Sequence, residues 1–273
     1  MNVLNHIHHG ENVHYGNPIL SQSLLATLFM LGIILYGFAV FRLYRKHKRW
    51  PLYKLILWGL GSCLVLFTVM GPFATQAHYD FKVHMIGHLF LGMFAPLLMA
   101  MSSPMTLLFK SVHVSVARKI AFLLKCWQVR LITHPIVATL LNIGGLWVLY
   151  TTDLYLLMHN NSVLYFFIHL HVFIAGYVFT ISMVYMDPVI HRFSVLYRSI
   201  VFILALAAHG ILSKYLYSNP PYGVPLKDAE QGAMIMYYGG DLIDGILLVL
   251  IFMQWYRRNG QPKPEMVMVF DSK

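Results

Sequence analysis

Six ionisable side chains stand inside apolar runs of this sequence: His84, His88, His169, His171, His209 and Asp241. His84 and His88 are four residues apart, a spacing that places both imidazoles on one helical face, where they can ligate a single metal ion. His169 and His171 are two apart and nearly opposite on a helix, so one of them is expected to be supporting or solvent-facing. His209 lies in Ala207-Ala208-His209-Gly210, where small neighbours let a second helix approach the ring. Asp241 follows Gly239-Gly240, with Asp244 one turn further on; it could ligate a metal or accept a hydrogen bond from a ligating imidazole and fix its tautomer. Imidazole suits copper, zinc, iron and nickel alike, and thioether ligands tilt a site toward monovalent copper. Met85, Met93, Met234 and Met236 are near these positions, although any one methionine in so apolar a chain is more commonly a packing residue. His6, His8, His9 and His14 form an amino-terminal cluster that could capture a metal.

The segments that must position these groups belong in lipid. The 273 residues are 58% hydrophobic and 11% charged, far from the roughly 25% charged of soluble domains. Seven stretches, about residues 19–41, 52–71, 83–101, 133–151, 162–184, 196–216 and 233–256, are long enough to cross a bilayer as helices. Helix is the open choice there, because a backbone amide in lipid must find its partner within its own segment. Lys and Arg gather after the first span (Arg42 to Lys54), the third (Lys110 to Arg130), the fifth (Arg192, Arg198) and the seventh (Arg257, Arg258, Lys263). That asymmetry predicts an outer amino terminus and an inner carboxyl terminus. It also reads the net charge of +10 as a topology signal, with no nucleic acid as partner.

The expected architecture is therefore an all-α polytopic bundle of seven transmembrane helices. A His-rich outer tail (1–18) precedes a single transmembrane domain (19–256), and an inner tail (257–273) follows it. The inner connection 102–132 is basic and amphipathic, suited to the membrane surface. The outer segment 218–230, with Pro220, Pro221, Gly223 and Pro225, is expected to be an irregular loop. On this topology the six ionisable groups lie within ~2–14 Å of the outer ends of their spans, at 1.5 Å per residue. Four helices would thus present them at overlapping depth, as a ligand set on facing helices does. Cys63 and Cys126 offer neither a disulfide nor a zinc-finger spacing, and no phosphate loop or nucleophile elbow is present.

Several stretches in one order resemble the CtaG family, the membrane assembly factors of bacterial caa-type cytochrome c oxidase. They are Phe81-Lys82-Val83-His84-Met85-Ile86-Gly87-His88-Leu89, Gly92-Met93-Phe94-Ala95-Pro96-Leu97-Leu98, His134-Pro135, the His169 to Gly176 stretch, Ala208-His209, and Gly232 through Asp241. The resemblance implies a seven-helix protein of the bacterial cell membrane that helps mature an oxidase copper centre. Its implied partners are oxidase subunits, with extracytoplasmic copper chaperones as suppliers. His84, His88, His209 and Asp241 match the family pattern, and His169 is preferred over His171. His134 also matches, but the topology puts it on the inner side, so it is assigned to helix-end packing beside Pro135. A single-span copper chaperone that shares the family name is excluded by the seven spans. The expectation is a copper-binding assembly factor and not an enzyme. An intramembrane zinc hydrolase and a b-type haem electron carrier are the alternatives that the same histidines allow.

Overall fold

A computed structural model describes residues 18–189 and 192–259. The histidines of the amino-terminal tail and most of the inner tail lie outside the described residues. Among those described there are helices and no strand. In chain order they are α1 (Pro18–Arg45), α2 (Leu52–Val69), α3 (Gly71–Tyr79), α4 (Phe81–Met101), α5 (Pro104–Ser111), α6 (Val114–Leu124), α7 (Trp127–Ile132), α8 (Pro135–Thr151), α9 (Leu154–Asn160), α10 (Ser162–Met183), α11 (Val195–Ser218) and α12 (Leu226–Asn259). Six of them, α1, α2, α4, α10, α11 and α12, are long and apolar enough to cross a membrane. A seventh span is present if α8 and α9, bent by 80° at their junction, count as one.

α4 is the axis of the bundle, with α2, α10 and α12 packed around it. Its most apolar stretch is 61% buried, against 28–33% for the other spans. Those others turn apolar flanks outward, as α1 does with Leu24, Leu28, Leu31, Leu35 and Phe38, which is how a helix meets lipid.

Pro96 shapes this central helix. Proline has no amide hydrogen, so the Gly92 carbonyl loses the donor that a regular helix would provide. The chain widens into a π turn over Phe90–Phe94, closed by the Ala95 amide donating to the Phe90 carbonyl. α10 packs directly against the released carbonyl, because Gly176 has no Cβ to collide with the Gly92 oxygen. α12 approaches α4 by the same means: a Cβ at Gly232 or Gly239 would run into Phe81 or Leu89. α8 contains a second π turn, Leu140–Gly144.

The basic segments meet at one end of the bundle. There the Tyr36 hydroxyl receives the Trp50 indole N–H at 3.0 Å, and its ring stacks on Trp58. Lys46 donates to the Ser111 carbonyl, and Lys54 to the Ser103 hydroxyl. Asp187 caps α5, accepting from the Met105 amide and from both the amide and hydroxyl of Thr106. At the opposite end Lys82 bridges Asp80 and Asp228.

Two expectations are corrected. The stretch 218–230 is irregular only as far as Pro225; α12 starts at Leu226, with Asp228 in its first turn, where the helix dipole favours a carboxylate. The fourth span does not simply end near 151: it folds over into α9 across the histidine end. Connection 102–132 forms three short helices, of which α6 and α7 expose Val114, Phe122, Leu123, Trp127 and Leu131, as an interfacial segment would.

Overpacking a tight contact costs ~1–3 kcal/mol, and the neighbour at Gly176 is backbone that cannot yield. Gly176→Ala should therefore lower the thermal midpoint of the detergent-solubilised protein by several degrees. Gly59→Ala, with nothing within 4 Å of the added Cβ, should leave it unchanged. Equal effects would contradict the α4–α10 contact.

Candidate metal-handling site

Four imidazoles line one narrow cleft of about 30 Å³ at the end remote from the basic segments: His84 and His88 of α4, His159 of α9 and His169 of α10. His84 and His88 share the buried face that their spacing demands. Thr68, Tyr150, Met158 and Tyr165 complete much of the wall.

Three of the four rings are held by a definite bond. The Nδ1 of His169 is 2.9 Å from the Tyr165 carbonyl one turn earlier, and the ring stacks on Tyr165 with centroids 3.8 Å apart. His159 repeats the device, its Nδ1 2.8 Å from the Tyr155 carbonyl. A carbonyl only accepts, so Nδ1 carries the proton in both, and Nε2 of the neutral ring keeps its lone pair. This is the orientation that outer partners impose on metal-binding histidines. His84 Nε2 is 3.0 Å from the Tyr150 hydroxyl. His88 Nε2 is buried with no hydrogen-bond partner among the described residues.

Two further histidines flank the cleft. His78, at the end of α3, has its ring 4.6 Å from that of His159, and burial pushes its imidazole below the ordinary value, favouring the neutral form. His209 of α11 lies deeper, 6.5 Å from His88 by ring centroids, and its Nε2 is likewise buried without a partner among the described residues. Gly240 of α12 admits the His209 ring, since a Cβ there would collide with it. Beyond His209 a smaller cavity is lined by Met93, Asn142 and Asp244.

The expected residues divide accordingly. His84, His88 and His169 share the cleft, and His209 stands behind it. His171 does not join them: its Nε2 is 3.1 Å from the Leu141 carbonyl, inside the π turn of α8, and the missing side chain of Gly145 makes room for it. The Gly145 amide bonds to the Asn142 carbonyl, and the His171 ring donates to the Leu141 carbonyl within the same π turn. Asp241 is also outside, on the exposed face of α12 with Tyr238 and Leu242, while Asp244 is the buried carboxylate. His134 packs edge-on against Phe193 at the start of α8, as assigned. Sequence reasoning missed His159 and His78. The available signal was a repeated Tyr-x-x-x-His, Tyr155/His159 and Tyr165/His169, with each histidine bonded to the tyrosine carbonyl one turn back.

Nitrogen ligands sit ~2.0–2.1 Å from a bound ion, which sets two ring centres roughly 5–6.5 Å apart. His84 and His159 are separated by 6.0 Å and His88 and His209 by 6.5 Å, so the rings have that spacing. Among the described residues no three His, Cys, Asp or Glu side chains converge on one ion as they stand.

The sequence model of the family described as cytochrome c oxidase caa3 assembly factor matches residues 34–258, which include every position above. An uncharacterized protein of Mycobacterium leprae is 24% identical over 86% of this chain and 38% of its own length. Counterparts in Mycobacterium bovis and Mycobacterium tuberculosis are 29% identical over 56% of this chain and 24% of theirs. The chain thus spans less than half the length of these curated relatives. No solved structure matches it.

If His171 serves the α8 backbone, His171→Leu should lower the thermal midpoint by ~2–4 °C, the effect of losing about 1 kcal/mol. His171→Gln, which keeps a donor, should restore part of that loss. No change in the leucine variant would contradict the assignment.

Proposed function

We propose that this chain, which belongs to the cytochrome c oxidase caa3 assembly factor family, carries copper as cargo in the histidine cleft and passes it to an oxidase subunit during assembly. The observation that carries the reading is the cleft itself. Imidazoles from three helices face one space, and two of them are fixed with Nε2 available. His88 and His209 each hold a buried nitrogen without a partner among the described residues, as do His78 beside the cleft and His134 at the start of α8, so the reading rests on the grouping of the rings in one space.

The donor set fits transit better than permanent storage. No thiolate lines the cleft, so an ion would exchange among imidazoles, with the Met158 thioether as a soft neighbour. His78 and His159 lie at the α3–α9 mouth, and His88 and His209 lie deeper, so an ion entering at the mouth would meet donors along its way inward. The function is that of a carrier. Asp241, facing outward, is not assigned a ligand role.

His88→Ala and His159→Ala should each lower copper retained on purification by roughly tenfold or more, while the protein remains in the membrane and oxidase activity falls with the copper. His171→Leu should retain copper. Loss of copper in the His171 variant together with normal copper in the other two would refute the site. Imidazole must be neutral to ligate, so acid should release the metal. Because burial holds His78 below its ordinary value, release should come below the unperturbed imidazole pKa of about 6.5. Copper measured after equilibration across pH 4–8 checks this, and complete release above pH 7 would contradict it.

A further inference from the structure

At the basic end, far from the histidine cleft, Arg192, Arg198 and Arg257 converge with Gln254 on an open cavity of about 330 Å³. No carboxylate lines it among the described residues. Arg198 is 3% exposed; its guanidinium lies 4.1 Å from the centre of the Tyr185 ring and donates to the Met183 carbonyl at the end of α10. Gln254 of α12 pairs with the Tyr185 backbone in both directions, receiving its amide at 3.3 Å and donating to its carbonyl at 3.1 Å. The wall is therefore rigid. α11, capped by the Ser194 hydroxyl, opens its amino terminus on the cavity at Val195, which adds the positive end of a helix dipole.

Charge alone would suit any anion, but a second cavity narrows the choice. An apolar cleft of about 220 Å³ shares Tyr185 and Phe193 with the arginine cavity and runs along α10, past Tyr177 and Ile181, toward Leu124 of α6 and Val129 of α7. Its one carboxylate, Asp187, is already engaged in capping α5. The two cavities join a cationic pocket to an apolar slot, in the bundle end where positive side chains gather.

We propose that the two form one binding site for an anionic phospholipid, with the phosphodiester among the three guanidinium groups and an acyl chain in the apolar cleft. Guanidinium binds phosphate oxygens in a two-pronged fashion, and basic pockets between membrane helices are suited to acidic headgroups. A bound lipid would tie α6 and α7 to α10, α11 and α12. No described histidine lines the site, which stands or falls independently of copper.

The test uses the full chain, purified in detergent and stripped of lipid, with thermal unfolding followed as lipid is added. Dioleoyl phosphatidylglycerol should raise the midpoint by several degrees and act at concentrations at least fivefold below dioleoyl phosphatidylcholine, which has the same chains. Inorganic phosphate alone should produce little shift. The double variant R192Q/R257Q, which leaves buried Arg198 in place, should lose most of the phosphatidylglycerol effect, and Ile181→Trp, which fills the slot, should weaken it too. Equal response to the two lipids, a full response to phosphate alone, or an undiminished response in a folded double variant would each overturn the proposal. If the double variant fails to fold, the preference of the unmodified protein between the two lipids decides.

Discussion

Pro96 removes one amide hydrogen from the most buried helix of this bundle, and in lipid a carbonyl so released has no water to turn to. Widening the turn moves the neighbouring amides to new partners, and Gly176 lets α10 lie against the Gly92 oxygen. That contact sets the register of the two helices. One turn toward the histidine end Val172 meets Gly92, and one further step places His169 on the same cleft as His84 and His88. The geometry of the imidazoles is thus a consequence of a proline and a glycine that carry no chemistry themselves.

The histidines sort by which atom their backbone surroundings claim. A helix carbonyl holds Nδ1 of His159 and His169 and leaves Nε2 facing the cleft. The Leu141 carbonyl, within the π turn of α8, holds Nε2 of His171 and turns that ring away. His88 and His209 keep buried nitrogens without partners among the described residues, an arrangement that costs ~1–3 kcal/mol for each such group.

Much of this was legible in the sequence, for reasons of scale. A span is a signal twenty residues long, so hydropathy placed α1, α2, α4, α10 and α11 within a few residues. The four-residue spacing of His84 and His88 needs only helical periodicity, and the small residues around His209 and at Gly240 did mark a close helix contact. What was not legible depends on single turns. His171 was separable from His169 only with knowledge of the α8 π turn, whose Leu141 carbonyl meets the ring from far away in the chain. Asp241 and Asp244 differ by less than a quarter turn, and in a helix that is apolar nearly all round no stripe says which of them faces inward. The short helices α3 and α9 fall below the length at which hydropathy speaks, and His78 and His159 were lost with them.

The membrane therefore does two things to this chain: it imposes the long helices, and it makes every irregularity within them find a partner. The cleft is one of the places where, among the described residues, buried nitrogens are left without partners. If imidazole nitrogens from separate helices bind copper there, X-ray absorption at the copper edge of the copper-loaded protein should show nitrogen at ~2 Å, with the outer scattering of imidazole rings and no thiolate sulfur. A spectrum without imidazole scattering, or dominated by cysteine sulfur, would contradict that binding.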